Sequence, residues 1–213
     1  MFDFKGAIFD LDGTLIDSMW VWEKIDKEFL EKRNIYIPSD YIEKINSMSF
    51  EKVAQYTIER FNLKESEEEL IKEWNEMAIY EYSHNIKLKP NVKEYLKKLK
   101  ENNIRIALST SSPRILYEPV LKNNHIYEYF DVLTSLEDAK RDKNYPDIYL
   151  LAADKLDLNP QDCVGFEDIL VAINTLKKAG FKAIGVYDKY ADSEIEEIKK
   201  ISDKYIYDFK EII

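Results

Sequence analysis

Asp10-Leu11-Asp12-Gly13-Thr14-Leu15-Ile16-Asp17-Ser18 follows directly on the apolar run Ala7-Ile8-Phe9. That run reads as a short buried strand. It stops at Asp10, and Gly13 turns the chain. Two carboxylates, Asp10 and Asp12, therefore stand where a buried strand ends, with no basic residue between them. A plain solvated turn is the competing reading, since Asp and Gly are ordinary turn formers. A turn needs only one such acid, however, and the flanks are strongly apolar. The stretch reads first as an active site.

Downstream, Trp22, Ile25 and Phe29 fall at helical spacing, and Asn34 ends that helix. Pro38 and Ser39 open a short second helix. Ser49 caps a third, which carries Val53, Tyr56, Ile58 and Phe61. Ser66-Glu67-Glu68-Glu69 has the spacing of a capping box, with Leu70, Trp74, Met77 and Tyr80 on the long helix behind it. The three glutamates suit a helix N-terminus better than a metal site. From Asp17 to about His84 the pattern is helical, with no strand.

The rhythm then changes. Pro90 is placed to begin a helix with Val92, Leu96 and Leu99. Strands at 104–108, 130–134, 162–166 and 181–186 alternate with helices opening at Pro113 and Pro146, ending at Gly180, and covering about 192–201. Tyr205-Ile206-Tyr207 adds a short edge strand. This alternation predicts an α/β fold, a Rossmann-like parallel sheet with helices on both faces. The helical stretch is too long for a connection. It is expected to be an all-helical cap domain, residues 17–85, inserted into a core of residues 1–16 and 86–213.

Composition narrows the function. The 213 residues are 45% hydrophobic, ample for a core. A net charge of −10 and a pI near 4.9 exclude the basic face of a nucleic-acid binder. The single cysteine, Cys163, excludes an internal disulfide and reads as a buried thiol in a reducing compartment. No apolar run approaches a membrane span, and the first residues lack a signal-peptide layout. A cytoplasmic monomer is expected.

In open parallel sheets, ligands bind beyond the carboxyl ends of the strands. Those ends carry Asp10 and Asp12, then Thr110 and Ser111, then Lys143 after a loop, then Glu167 and Asp168. Each has an ordinary explanation as a cap or a solvated charge. Together they are complementary. Carboxylates without His or Cys make a hard oxygen site that suits Mg²⁺. A lysine and a hydroxyl opposite them suit a phosphate. One aspartate can accept a phosphoryl group and a second can move protons.

These residues resemble the haloacid dehalogenase-like superfamily, and the likeness spans the whole chain. Asp10-Leu11-Asp12-Gly13-Thr14, Thr110, Lys143 with Pro146-Asp147-Ile148-Tyr149, and Gly165-Phe166-Glu167-Asp168 fit its four motifs in order. The helical insert resembles the cap of the subfamily that contains β-phosphoglucomutase and many sugar- and nucleotide-phosphate phosphatases. The resemblance implies Asp10 as nucleophile and Asp12 as general acid/base. It implies Mg²⁺ on the carboxylates of Asp10 and Asp168 and the main-chain carbonyl of Asp12, with Glu167 beside it. Thr110 and Ser111, with nearby N–H groups, would hold the phosphoryl oxygens, and Lys143 would balance their charge. The implied cap would close over the substrate about links near 16–18 and 84–90.

Several positions depart from the family pattern. Asn144, Ile169 and Ala172 replace a usual Pro, Ser and Gly. In the cap, Trp22 falls where β-phosphoglucomutase has a histidine, and Phe50 where it has a phosphate-gripping arginine. The expected activity is therefore Mg²⁺-dependent hydrolysis of a small phosphorylated metabolite, with no nucleic-acid or membrane partner. A sugar-phosphate mutase and a catalytically silent phosphate-binding module are the alternatives. Asp12 speaks against a dehalogenase, and no cap lysine stands out for phosphonate hydrolysis.

Overall fold

The computed structural model describes residues 3–45, 48, 50–139 and 141–213, apart from the side chain of Glu43. The cap expected at Ser49 lies outside the described residues. The chain separates into two compact units, Met1–Met19 with Ile86–Ile213, and Trp20–Asn85.

Strand β1 is Gly6–Phe9. The helical unit follows, with α1 Val21–Glu31, α2 Tyr41–Ile45, α3 Phe50–Phe61 and α4 Glu67–His84. The remaining chain forms α5 Val92–Glu101, β2 Arg105–Thr110, α6 Arg114–Asn123, β3 Val132–Ser135 and α7 Leu136–Ala139. It continues through α8 Asp147–Lys155, β4 Cys163–Glu167, α9 Leu170–Lys178, β5 Lys182–Val186, α10 Ile195–Ile201 and β6 Lys204–Ile206. No helix among the described residues is long and apolar enough to cross a membrane.

The helical unit is held by an aromatic seam. Phe29 on α1 meets Trp74 on α4 edge to face at 5.4 Å, and Phe50 on α3 packs on Trp74 at 5.5 Å. Such contacts add roughly 0.5–1.5 kcal/mol each beyond their buried area. The capping box forms as expected: Ser66 Oγ accepts from the Glu69 N–H, and the Glu69 carboxylate accepts from the Ser66 N–H. Two expected faces differ. On α3 the small residues Ala54 and Thr57 form the buried seam, with the Thr57 hydroxyl 2.7 Å from the Tyr41 hydroxyl; Val53, Tyr56, Ile58 and Phe61 are half-buried around it. On α4 Tyr80 is 58% exposed, because Ala78, Glu81 and Tyr82 take the inner face. Glu81 is tolerated there because Lys24 Nζ and Asn85 Nδ2 donate to its two oxygens at 2.6 and 2.8 Å.

The other unit is a six-stranded, all-parallel sheet in the order β3-β2-β1-β4-β5-β6. This is the Rossmann-like α/β fold. Strand β1 lies between β2 and β4, with Phe9 opposite Leu108 on one side and Phe166 on the other. Ile8 joins the core formed with α8, α9 and α10. Phe9 points to the opposite face, stacks on Phe166 at 4.3 Å, and meets Tyr95 of α5 and Phe209. A slip of one residue would exchange these faces, so the buried pattern fixes the register. That register carries through to the residues just beyond the strands.

The two links around the helical unit run side by side. Ile16 and Leu88 form an antiparallel bridge, flanked by Asp17 N–H to Lys87 O (3.0 Å) and Lys89 N–H to Leu15 O (2.9 Å). Pro90 does not begin a helix. Asn91 takes a left-handed conformation (φ 60°), its side chain donates to Asp208 Oδ1 at 2.7 Å, and α5 starts only at Val92.

Candidate active site

The site grows from the ends of β1 and β4. Past Phe9 the ladder continues for one bond, Asp10 N–H to Phe166 O at 3.0 Å. Asp10 is thereby set beside Glu167 and Asp168. Oxygens from these three carboxylates lie within 4.8 Å of one another, and all three residues are buried. Gly13 makes the approach possible. It sits at φ +80°, and a Cβ there would fall 2.2 Å from Asp168 Oδ2. Thr14 Oγ1 donates to Asp168 Oδ1 at 3.4 Å.

Lys143 comes from the loop before α8 and is 7% exposed. Its ammonium donates to Asp10 Oδ1 and, at 2.7 Å, to Glu167 Oε1. Tyr149 on α8 donates to the same Glu167 oxygen at 2.6 Å. Burial pushes the Glu167 carboxyl up to about 7, with Lys143 opposing and Asp10 reinforcing the shift. Burial raises Asp10 as well, with Lys143 pulling it down and Asp12 pushing it up. Asp168 is raised by burial and then by its acidic neighbours Asp10 and Glu167. Three buried acids thus face one ammonium.

Asp12 stands outside that cluster. Its two oxygens accept from Ser18 Oγ and Ser112 Oγ, each at 2.7 Å. Hydroxyls donate or accept, so they can hold this carboxyl whether or not it carries a proton. Thr110 ends β2 fully buried, and its Oγ1 accepts from the Ser112 N–H at 3.0 Å. A hydroxyl that accepts there still has its own O–H to donate. Ser111 is exposed, and no hydrogen bond joins its side chain to these residues.

The structure therefore gathers Asp10, Asp168 and Lys143, with Glu167 as the third clustered carboxylate, and holds Asp12 and Thr110 through Ser112. Ser18, Ser112 and Tyr149 were not among the expected site residues. Ser18 and Ser112 carry a weak sequence signal, as hydroxyls close behind strand ends that bear acids. Tyr149 stands in the stretch behind Lys143 that fits the third motif, but nothing in the sequence marks its hydroxyl for the site.

The sequence pattern of the haloacid dehalogenase-like hydrolases matches residues 7–186. The chain belongs to this family. A phosphorylated carbohydrates phosphatase of Thermotoga maritima is 28% identical over 180 residues, covering 84% of this chain and 83% of the relative. Hexitol phosphatase B of Escherichia coli is 28% identical over 183 residues, 84% and 82% of the two chains. The β-phosphoglucomutase of Bacillus subtilis is 30% identical over 190 residues, 85% and 83%. Among solved structures, a Thermotoga maritima protein provisionally described as a β-phosphoglucomutase superposes with a TM-score of 0.85 at 26% identity, covering 95% of this chain and 94% of the other. This haloacid dehalogenase-like hydrolase falls in the β-phosphoglucomutase-like branch, whose members are phosphatases and phosphotransferases.

Proposed function

We propose that this hydrolase is a Mg²⁺-dependent phosphatase that cleaves a small phosphomonoester through an aspartyl-phosphate on Asp10. The supporting observation is the cluster of three buried carboxylates against the single Lys143 ammonium. Repulsion in that set calls for a further cation. Glu167 Oε2 is moreover buried without a hydrogen-bond partner, as an oxygen facing a cation would be. The donors are all hard oxygens, which fit Mg²⁺.

The Asp10 and Asp168 carboxylates and the Asp12 main-chain carbonyl would hold the ion, with Glu167 beside it. Bound there, it supplies charge neutralisation for the phosphoryl oxygens. Asp10 attacks phosphorus, and the bond to the leaving oxygen breaks as Asp12 gives that oxygen its proton. Asp12 then takes a proton from water as the water attacks phosphorus and frees Asp10. Lys143 and the Thr110 O–H position the phosphoryl oxygens. Positioning and charge stabilisation carry most of the rate.

A panel of phosphorylated metabolites should yield inorganic phosphate with Mg²⁺ and none with EDTA. Binding without release from any member would favour a silent binding module. Stability should follow the same cluster. For Glu167, the unfolded chain ionises near the ordinary carboxylate value while the folded chain keeps its proton up to about 7. Across that window the folded state binds more protons, so metal-free stability falls as pH rises. Asp10 and Asp168 act in the same direction. Lys143, raised by Asp10 and Glu167 against its burial, stays charged throughout and adds no slope. Melting in EDTA should therefore occur at lower temperature at pH 8 than at pH 5, and Mg²⁺ should raise it more at pH 8. Equal Mg²⁺ shifts at both values would contradict the buried-acid account.

The mutase relative makes a second reading worth testing. A mutase must hold a bisphosphate by its far phosphate while the near one reacts, which needs a cation in the cap. Loss of such a contact typically costs about 2–5 kcal/mol. In the helical unit Phe50 is packed between Trp22 (5.4 Å) and Trp74. Lys52 is exposed, Arg33 is engaged by Glu65 and Glu73, and Arg60 by Asp40. Trp22 is itself 39% exposed, so it is not wholly spent on the helical core. With β-glucose 1-phosphate and a trace of the 1,6-bisphosphate, phosphate release should dominate. Efficient conversion to glucose 6-phosphate without matching release would establish the mutase instead.

A further inference from the structure

Tyr149 has no part in the mechanism above, yet it touches the cluster directly. It is buried on α8 with its ring edge-on to Phe181 at 6.4 Å. A buried tyrosine needs a partner for its hydroxyl, and here that partner is Glu167 Oε1 at 2.6 Å. Lys143 Nζ donates to the same oxygen at 2.7 Å. Oε1 therefore serves two donors, while Oε2 has none and is closed off from solvent.

We infer that Tyr149 is a positioning residue that makes Glu167 a one-oxygen ligand and thereby favours Mg²⁺ over Ca²⁺. The inference rests on the metal reading above. Two donors fill the lone pairs of Oε1, so only Oε2 is left to face a cation. Mg²⁺ is small, octahedral and well served by single carboxylate oxygens at about 2.0–2.1 Å. Ca²⁺ takes more oxygens at about 2.3–2.6 Å and commonly accepts both from one carboxylate. Tyr149 thus withholds from Ca²⁺ the two-oxygen grip that suits it. Without the phenol hydroxyl, Oε1 keeps only Lys143 and the carboxylate can turn to offer both oxygens. A purely packing role for Tyr149 would alter stability and leave the choice of ion unchanged.

The test is calorimetric titration of wild type and Tyr149→Phe with Mg²⁺ and with Ca²⁺, without substrate. The ratio of the Ca²⁺ to the Mg²⁺ dissociation constant should fall about tenfold in the variant, the lower end of what outer-shell changes do to metal affinity. An unchanged ratio, including equal weakening of both ions, overturns the inference. A crystal structure of the wild type with Mg²⁺ gives a check that needs no variant. One Glu167 oxygen should coordinate the ion directly, with the other still on Tyr149 and Lys143. Both oxygens on the ion would overturn the inference, and so would Glu167 reaching the ion only through water. Wild type that binds no Mg²⁺ would remove the metal reading and this inference together. Mg²⁺ binding with an unchanged ratio would remove the inference alone.

Discussion

Asp10→Asn should lower turnover by about 10⁴-fold or more, the scale seen when a covalent nucleophile is lost. The amide keeps the shape of the side chain but cannot form the phosphoryl ester. The loss should not come from unfolding. Asp10 is one of three buried acids, and burial outweighs the pull of Lys143 and, with Asp12 adding to it, disfavours its charged form. Removing that charge relieves repulsion in the metal-free protein, and Lys143 keeps Glu167 at 2.7 Å as a partner. Melting in EDTA should therefore be unchanged or slightly higher than in wild type, while Mg²⁺ raises it less. Phosphate release and thermal melts on the same preparation check both halves. Retained turnover would remove Asp10 as the nucleophile.

Lys143→Met should strongly destabilise the metal-free protein. The ammonium is shared by Asp10 and Glu167 in a site closed to water. Breaking a buried pair by removing one partner typically costs about 3–5 kcal/mol, because the remaining charges are left uncompensated. For a chain of this size that corresponds to a melting temperature lower by about 10 °C. Burial alone would depress the lysine, but its two acids outweigh it and hold the pKa above the ordinary value. Its stabilising effect is present below the ordinary lysine value and is lost only as pH rises through the higher folded one. The deficit of the variant should therefore persist across pH 7–9. Saturating Mg²⁺ should restore part of it, since a divalent cation takes over part of the neutralisation. A variant melting like wild type in EDTA would show that the acids do not depend on Lys143.

Much of this arrangement was legible in the sequence, for a physical reason. A buried strand of a parallel sheet must be apolar, so an acid at its end stands out against that run, as Asp10 does after Ala7-Ile8-Phe9. Glu167 and Asp168 stand out in the same way behind Cys163–Glu167, where the strand itself carries the first of them. Side-chain direction was not legible. Ser111 and Ser112 are equivalent in composition, yet only Ser112 reaches Asp12 (2.7 Å), because the chain leaves β2 after Thr110 and turns between them. Tyr149 reads as one more helical aromatic until α8 is laid against β4 and its hydroxyl meets Glu167. Pro90 was misplaced because the left-handed turn at Asn91 depends on a partner, Asp208, more than a hundred residues away. Tyr80, spaced with Leu70, Trp74 and Met77, faces solvent, because periodicity sees spacing and not the salt bridge that makes Glu81 acceptable inside.

The bridge at Ile16 and Leu88 bears on how such an enzyme can change over time. The core itself fastens the two points between which the helical unit is inserted, through main-chain bonds at Leu15, Asp17, Lys87 and Lys89. Loop-closure entropy grows only logarithmically with length, by about 0.6 kcal/mol per doubling. The insert thus behaves as a cassette whose size and sequence can drift at little cost to the sheet, since the acids of β1 and β4 are placed by strand pairing and by contacts within the sheet unit. The sheet and its cluster of acids can then stay unchanged while the inserted helices are rebuilt.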